Sequence, residues 1–258
     1  MHSPSSVVEV SEPALAYLVN IARKAGDAIM PHYGATESAA KADGSPLTAA
    51  DLAADRLITE ALTAWDANVP IVSEESTAAP YATRRDWKRF WLVDPLDGTK
   101  EFLTRNGEFT VNIALIEDGR PILGVVHAPA IDRTYFAGRG LGAWRQDGVR
   151  PAQRIYSSPA GPETPLRVVV SRSHAGAADE ALLQGREVSQ RIGLGSSLKL
   201  CCVAEGSADA YPRSGPVMEW DVAAGDCVFR YSGRDGDRNS PLRYNTDDLR
   251  IVGFVLGL

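Results

Sequence analysis

Six residues, Asp94-Pro95-Leu96-Asp97-Gly98-Thr99, put two carboxylates, a backbone carbonyl, a glycine and a hydroxyl into one short stretch. Oxygen donors of this kind suit a hard divalent cation, and Mg²⁺ in particular is held by one or two carboxylates together with the phosphate oxygens of a substrate. Pro95 fixes its own φ and biases Asp94 towards extended geometry, while Gly98 admits backbone conformations and a close ligand approach that a Cβ forbids. The two aspartates can then converge on one point. The competing reading is an acidic surface turn, since Asp, Pro and Gly are all ordinary turn residues.

The elements that must position this stretch are legible around it. Phe90-Trp91-Leu92-Val93 is a continuous apolar run of the kind that fills a buried strand, so a strand over Trp87 to Val93 is expected to end at Asp94. A shorter strand, Val69 to Ser73, ends at Glu74-Glu75, giving two acidic strand ends in succession. Helical spacing runs through Leu15, Leu18, Val19, Ala22, Ala25 and Ile29, predicting a first helix from Glu12 to Met30 that Pro31 stops. After a loop at Asp43-Gly44-Ser45-Pro46, a second helix is expected from Thr48 to Trp65. Thr48 suits an N-cap with Asp51 three positions on, which offers Asp51 a purely structural role in a capping box.

Phe109 to Glu117, Pro121 to His127, Thr134 to Gly138 and Gly142 to Arg145 read as an antiparallel meander, with Asp118-Gly119 as a hairpin turn. Ala152 to Pro165, rich in Pro, Ser, Ala and Gly, reads as a connection. Beyond it come a strand at Leu166 to Ser171, a helix at Ala177 to Gln184, a strand at Val188 to Ile192, a helix at Ser197 to Ala204 and a strand at Ala208 to Tyr211. A helix over Asp221 to Phe229, a polar loop over Arg234 to Asp248 and a last strand over Arg250 to Val255 complete the chain. The reading is therefore an N-terminal α+β half over 1–155 and a C-terminal α/β half over 156–258. No internal repeat is visible.

Composition excludes several classes. With 27 Lys and Arg against 33 Asp and Glu the net charge is −6, which argues against a nucleic-acid-polymer surface, so an anionic substrate must be met by local cations. Cys201, Cys202 and Cys227 form neither an even disulfide framework nor a zinc spacing and read as reduced core residues. Neither a secretory signal over Met1 to Val10 nor an apolar run of about 18 residues is expected, which points to a cytoplasmic protein. Peripheral attachment at the inner face of the membrane stays open.

Three segments, Ser73-Glu74-Glu75-Ser76, Asp94-Pro95-Leu96-Asp97-Gly98-Thr99 and Glu219-Trp220-Asp221-Val222-Ala223-Ala224-Gly225, occur in an order that resembles the inositol monophosphatase superfamily, over nearly the whole chain. Lys100-Glu101-Phe102, the run from Arg105 to Leu115, Ser196-Ser197-Leu198-Lys199, Ala204-Glu205-Gly206 and Tyr211-Pro212-Arg213 are similar to its 3'(2'),5'-bisphosphate nucleotidase (CysQ-type) branch. The resemblance implies a layered αβαβα sandwich of the inositol monophosphatase and fructose-1,6-bisphosphatase type. It implies that Glu74, Asp94, Asp97, Asp221 and the Leu96 carbonyl bind two or three Mg²⁺, with Glu75 beside them, and that Li⁺ inhibits. It assigns Asp51 and Thr99 to orienting and deprotonating the attacking water, and Gly98, Thr99, His174, Ser196, Lys199 and Arg213 to holding the substrate. Ordinary alternatives exist: Asp51 as a cap, His174 as a helix cap, Lys199 and Arg213 as solvated side chains; Trp220 itself reads as a core residue that positions the acid after it.

The activity so implied is Mg²⁺-dependent removal of the 3'-phosphate from adenosine 3',5'-bisphosphate or its sulfated form, a small phosphorylated nucleotide, by a monomer or homodimer. The alternatives are an inositol or sugar phosphatase on the same fold and a silent nucleotide or metal sensor. The stretch from Arg230 to Asp248 departs from the branch in being polar and irregular.

Overall fold

A computed structural model describes residues 8–34, 39–40, 46–47, 49–158, 160–172 and 176–258. The loop expected at 43–45, the Thr48 cap and His174 lie outside the described residues. The chain opens with α1 (Glu12–Ile29), whose N-cap Ser11 accepts the Ala14 N–H. Pro31 ends the regular helix at Ile29, and the backbone leaves through a 3₁₀ turn over Met30–His32. A two-residue hairpin follows, β1 (Ala39–Ala40) with β2 (Pro46–Leu47), then α2 (Ala49–Trp65) and β3 (Ile71–Ser73). After the short α3 (Tyr81–Arg84) come β4 (Arg89–Asp97), α4 (Thr99–Leu103), β5 (Thr110–Glu117), β6 (Arg120–Ala128), β7 (Arg133–Gly138), β8 (Gly142–Asp147) and β9 (Gln153–Arg154).

Strands β3 to β9 form one seven-stranded sheet in sequence order, parallel at β3–β4 and antiparallel thereafter. Two expectations are corrected here. The segment expected to be a linker over 152–165 begins with β9, a two-residue edge strand whose exposed side chains carry no periodic signal. Strand β4 does not stop at Val93 but continues through Asp97. At the hairpin, Asp118 and Gly119 both take positive φ, as the expected turn requires.

The rest of the chain supplies β10 (Leu166–Ser171), α5 (Ala177–Ala181), β11 (Val188–Leu194), α6 (Leu198–Ala204), β12 (Tyr211–Arg213), β13 (Val217–Met218), α7 (Glu219–Arg230), β14 (Arg250–Ile251) and β15 (Phe254–Leu256). β10 pairs in parallel with β11 and bridges Ala210, just before β12, while β12 pairs antiparallel with β15. The strand expected at Ala208 to Tyr211 is thus displaced to Tyr211–Arg213. The single last strand expected at Arg250 to Val255 is two, because β14 joins β13 and β15 joins β12.

Both faces of β4 are covered, which explains its unbroken apolar run. Trp91 and Val93 pack with Leu18, Ile21, Ile58 and Leu62 of α1 and α2, whereas Phe90 and Leu92 pack with Leu200, Val222, Cys227 and Phe229 of α6 and α7. Helix α6 also touches β10 and β12, and α5 touches β12, giving αβαβα layering. Among the described residues, no helix is long and apolar enough to cross a membrane.

His127 of β6 is 3% exposed and its Nδ1 lies 3.0 Å from Thr134 Oγ1. Arg23 Nε donates to the same hydroxyl at 3.2 Å, which leaves the Thr134 proton free to point at Nδ1. Burial, then the Arg23 charge, lowers the His127 pKa from 6.5 to about 4. Below pH 6.5 the unfolded chain therefore binds a proton that the folded one refuses, and stability falls as pH drops towards 4. Between pH 7 and 5 this costs about 2 kcal/mol. Urea denaturation of a His127→Gln variant is expected to show a correspondingly shallower loss over that interval than wild type.

Candidate active site

The site is built around a fault in the β4–β5 ladder. Asp94 is paired with Asn112, but the next pair is Asp97 with Thr110, so β4 carries one residue more than β5. Pro95, with no N–H to give the ladder, sits in this bulge, and bulges re-aim the side chains beside them. The Asp94 Oδ1 accepts the Leu96 N–H at 3.1 Å, and Gly98, with φ of 88°, turns the chain into α4. On the parallel neighbour, Ser73 is in register with Val93 and the Glu74 N–H donates to the Val93 carbonyl, which sets Glu74 beside Asp94. Asp221 arrives from α7, where its Oδ2 accepts the Met218 N–H at 2.9 Å, the contact of a helix cap.

These carboxylates disturb one another. Asp94 is 1% exposed, and burial, then the charges of Glu74, Asp97 and Asp221 and a hydrogen bond with Glu74, hold its pKa well above the usual carboxylate range. Enclosure and then Asp97 push Asp221 up as well. Asp97 is raised by enclosure, against the pull of Lys199, Asn112 and the Ser197 N–H. Asp97 and Asp221 keep part of their surface towards a cleft, so their raised values reflect surrounding protein more than complete burial.

That cleft, of about 150 Å³, is lined by Asp97, Gly98, Ser196, Lys199, Arg213 and Asp221, six of the residues singled out from the sequence. Lys100, Glu101 and Tyr211, which carried the resemblance without being given a role, line it too. Lys199 is 9% exposed and its Nζ donates to the Ser196 carbonyl at 2.6 Å; burial lowers its pKa, opposed by Asp97 and Glu101. Arg213 donates to the Gly215 and Pro216 carbonyls. Thr99 Oγ1 points to the Leu96 carbonyl at 3.5 Å, and Asp51 is buried in the first turn of α2. Trp220 packs against the core, as expected. A larger cavity, about 390 Å³, lies elsewhere between Tyr156 and Arg238 and contains none of the sequence-predicted residues.

Two positioning residues went unassigned in the sequence. Asn112 Nδ2 donates to Asp97 at 3.3 Å and to Ser197 Oγ at 2.9 Å; Ser197 N–H donates to Asp97 at 2.6 Å and its hydroxyl to the Asp221 carbonyl. Both lie in segments that carried the resemblance, but no local spacing rule couples residues 85 positions apart. Ser73 Oγ similarly ties the end of β3 to Asp55 of α2.

A model of the inositol monophosphatase family matches residues 11–235. The chain is 50% identical over 223 residues to the 3'(2'),5'-bisphosphate nucleotidase CysQ of Escherichia coli strain K12, covering 85% of this chain and 88% of that one. Its fold superimposes on CysQ from Bacteroides thetaiotaomicron with a TM-score of 0.79 at 38% identity, over 95% and 96% of the two chains. The extragenic suppressor protein suhB from Bartonella henselae matches with a TM-score of 0.72 at 27% identity over 86% of each.

Among the described residues, no three His, Cys, Asp or Glu side chains already close around a common point as a finished cation site. Asp94, Asp97 and Asp221 are turned instead to the N–H groups of Leu96, Ser197 and Met218. The donor set nevertheless fits a divalent cation: hard oxygens, mutual repulsion and one buried lysine to offset it. Asp94→Asn keeps an acceptor for the Leu96 N–H while removing a charge from the cluster. With chelator present its thermal midpoint is expected to match or exceed that of wild type. Millimolar Mg²⁺ is expected to raise the wild-type midpoint by about 5 °C and the variant's by less than about 1 °C. Equal shifts in differential scanning fluorimetry would sink the assignment.

Proposed function

The chain belongs to the inositol monophosphatase family, and we propose that it hydrolyses the 3'-phosphate of adenosine 3',5'-bisphosphate, or of its sulfated form, to give the 5'-phosphorylated nucleoside and inorganic phosphate. The observation that carries this reading is the shared cleft, in which Asp97 and Asp221 face Lys100, Lys199 and Arg213. Carboxylates suit a metal and a scissile phosphate held by it; cations suit a second phosphate on the same substrate. A sugar monophosphate makes no comparable use of the cations.

In this reading Glu74, Asp94, Asp97, Asp221 and the Leu96 carbonyl hold Mg²⁺. Bound there, Mg²⁺ supplies charge neutralisation at the phosphate oxygens and a lowered pKa for water. The chain's own residues do the rest. Backbone N–H groups at Gly98 and Thr99 orient the scissile phosphate. The Thr99 hydroxyl swings from the Leu96 carbonyl to the attacking water, and Asp51 takes the proton through it. The water oxygen bonds to phosphorus as the bond to the ribose 3'-oxygen breaks, and that oxygen takes a proton from a solvent water to leave as the 3'-hydroxyl. Lys199 and Arg213 hold the nucleotide, with Ser196 presenting its hydroxyl at the same wall. His174 is assigned to the same group on sequence alone. The same reading places the enzyme in the cytoplasm and makes Li⁺ an inhibitor that displaces one Mg²⁺.

The test is phosphate release by purified protein with Mg²⁺. Adenosine 3',5'-bisphosphate is expected to be turned over with a kcat/KM at least tenfold above that for inositol 1-phosphate, and the reverse order would overturn the assignment. Asp51→Asn is expected to lose about 10²-fold or more in kcat with its thermal midpoint nearly unchanged. A fall in midpoint with preserved activity would return Asp51 to the capping role.

A further inference from the structure

Glu108, between α4 and β5, lies where the two sources of the site meet. Its carbonyl oxygen would stand 3.2 Å from a Cβ on Gly98 and 3.0 Å from one on Gly195, so its peptide is wedged between the Asp94–Thr99 stretch and the segment that leads into α6. The same Gly98 position would also meet Ser196 Cβ at 3.3 Å. The Glu108 side chain reaches the second segment directly, its Oε2 accepting the Gly195 N–H at 2.8 Å. Arg172, at the end of β10, closes a fork on the same carboxylate at 2.5 and 3.1 Å and donates to the Gly193 carbonyl at 3.0 Å. Downstream, Ser196 takes a left-handed φ of 47°, and its carbonyl receives Lys199. Ser197 has anchors of its own in Asp97, Asn112 and Asp221. Leu194 is held by the β10–β11 ladder and the Arg172 N–H, and Ser197 by Asp97, so the Gly195–Ser196 step lies between two anchors and Glu108 is the side chain that accepts its N–H.

We infer that Glu108 is a positioning residue for substrate affinity: by accepting the Gly195 N–H it registers Ser196 and Lys199 against the Gly98 turn. The inference deepens the nucleotidase reading and rests on it for its kinetic consequence. The half-exposed ion pair with Arg172 contributes little by itself, as surface pairs do, and the acceptor for Gly195 is the working part.

Four variants separate these contributions: Glu108→Ala, Glu108→Gln, Glu108→Asp and Arg172→Ala. Glu108→Ala is expected to raise KM for adenosine 3',5'-bisphosphate about tenfold with kcat within about threefold of wild type. Glu108→Gln retains an oxygen for the Gly195 N–H, Arg172→Ala leaves that bond intact, and both are expected to stay within about threefold in each parameter. Glu108→Asp, too short to reach Gly195 but still charged, is expected to behave as Glu108→Ala and replaces it where the alanine variant does not fold. Amide hydrogen exchange over 193–199, measured without substrate, is expected to quicken in Glu108→Ala and Glu108→Asp and to keep wild-type rates in Glu108→Gln. Wild-type KM in Glu108→Ala, or equal effects of Glu108→Ala and Arg172→Ala, would overturn the inference while leaving the nucleotidase reading intact. Wild-type protein inactive on the bisphosphate would overturn that reading instead, and the exchange rates would still decide the role of Glu108.

Discussion

Four carboxylates that repel one another are held together by backbone that leaves them little room to part. Asp94 cannot swing away, because it is enclosed by the sheet and bonded to the Leu96 N–H. Glu74 is tied by the β3–β4 ladder, and Asp221 by the first turn of α7. Each of these attachments is made by a secondary-structure element that has its own hydrophobic reason to exist. The apolar faces of β4 and α7 meet in one core, so the charges converge because the layers pack. Burial first, and then the neighbouring carboxylates, raises the pKa values of Asp94, Asp97 and Asp221, and a divalent cation would favour their ionised forms.

The second layer of dependence runs through polar side chains that touch no cleft of their own. Asn112 and Ser197 join Asp97 to the carbonyl of Asp221 across the interface between the seven-stranded sheet and α6. At the first residue of α7, two positions before Asp221, Glu219 accepts the N–H groups of Asn245 and Thr246, while Arg84 of α3 donates to the carbonyls of Thr246 and Asp247. This clasp, whose partners lie far apart in sequence, secures the end of the polar loop expected over Arg234 to Asp248. The irregular loop is thus fixed both to the first turn of the helix that carries Asp221 and to α3.

Much of the architecture was legible because its signals are local. The apolar run of β4, the helical stripes of α1 and α2 and the Asp118-Gly119 turn each announce themselves within a few residues. Failures came where a tertiary partner overrides local chemistry. Asp-Pro reads as the end of a strand, yet at Asp94 the strand survives by bulging, because β5 pairs on both sides of the fault. Gln153–Arg154 is a strand only because β8 lies beside it. Arg250 to Val255 reads as one strand, yet the segment forms two, since β13 and β12 claim different parts of it. Within the site, residue types pointed to Asp94 and Asp97, and the family resemblance to Glu74, Asp221, Lys199 and Arg213. Asn112, Ser197 and Glu108 stayed unassigned because their partners are remote in sequence and only the fold brings them together.

The central claim is that this carboxylate cluster is a divalent-cation site. Its most direct test is an anomalous difference map from crystals of the protein grown with Mn²⁺ in place of Mg²⁺, recorded at the manganese edge. The account predicts anomalous density within coordination distance of Asp94, Asp97, Glu74 and Asp221. Density confined to other residues, or none at concentrations that support phosphate release, would contradict it.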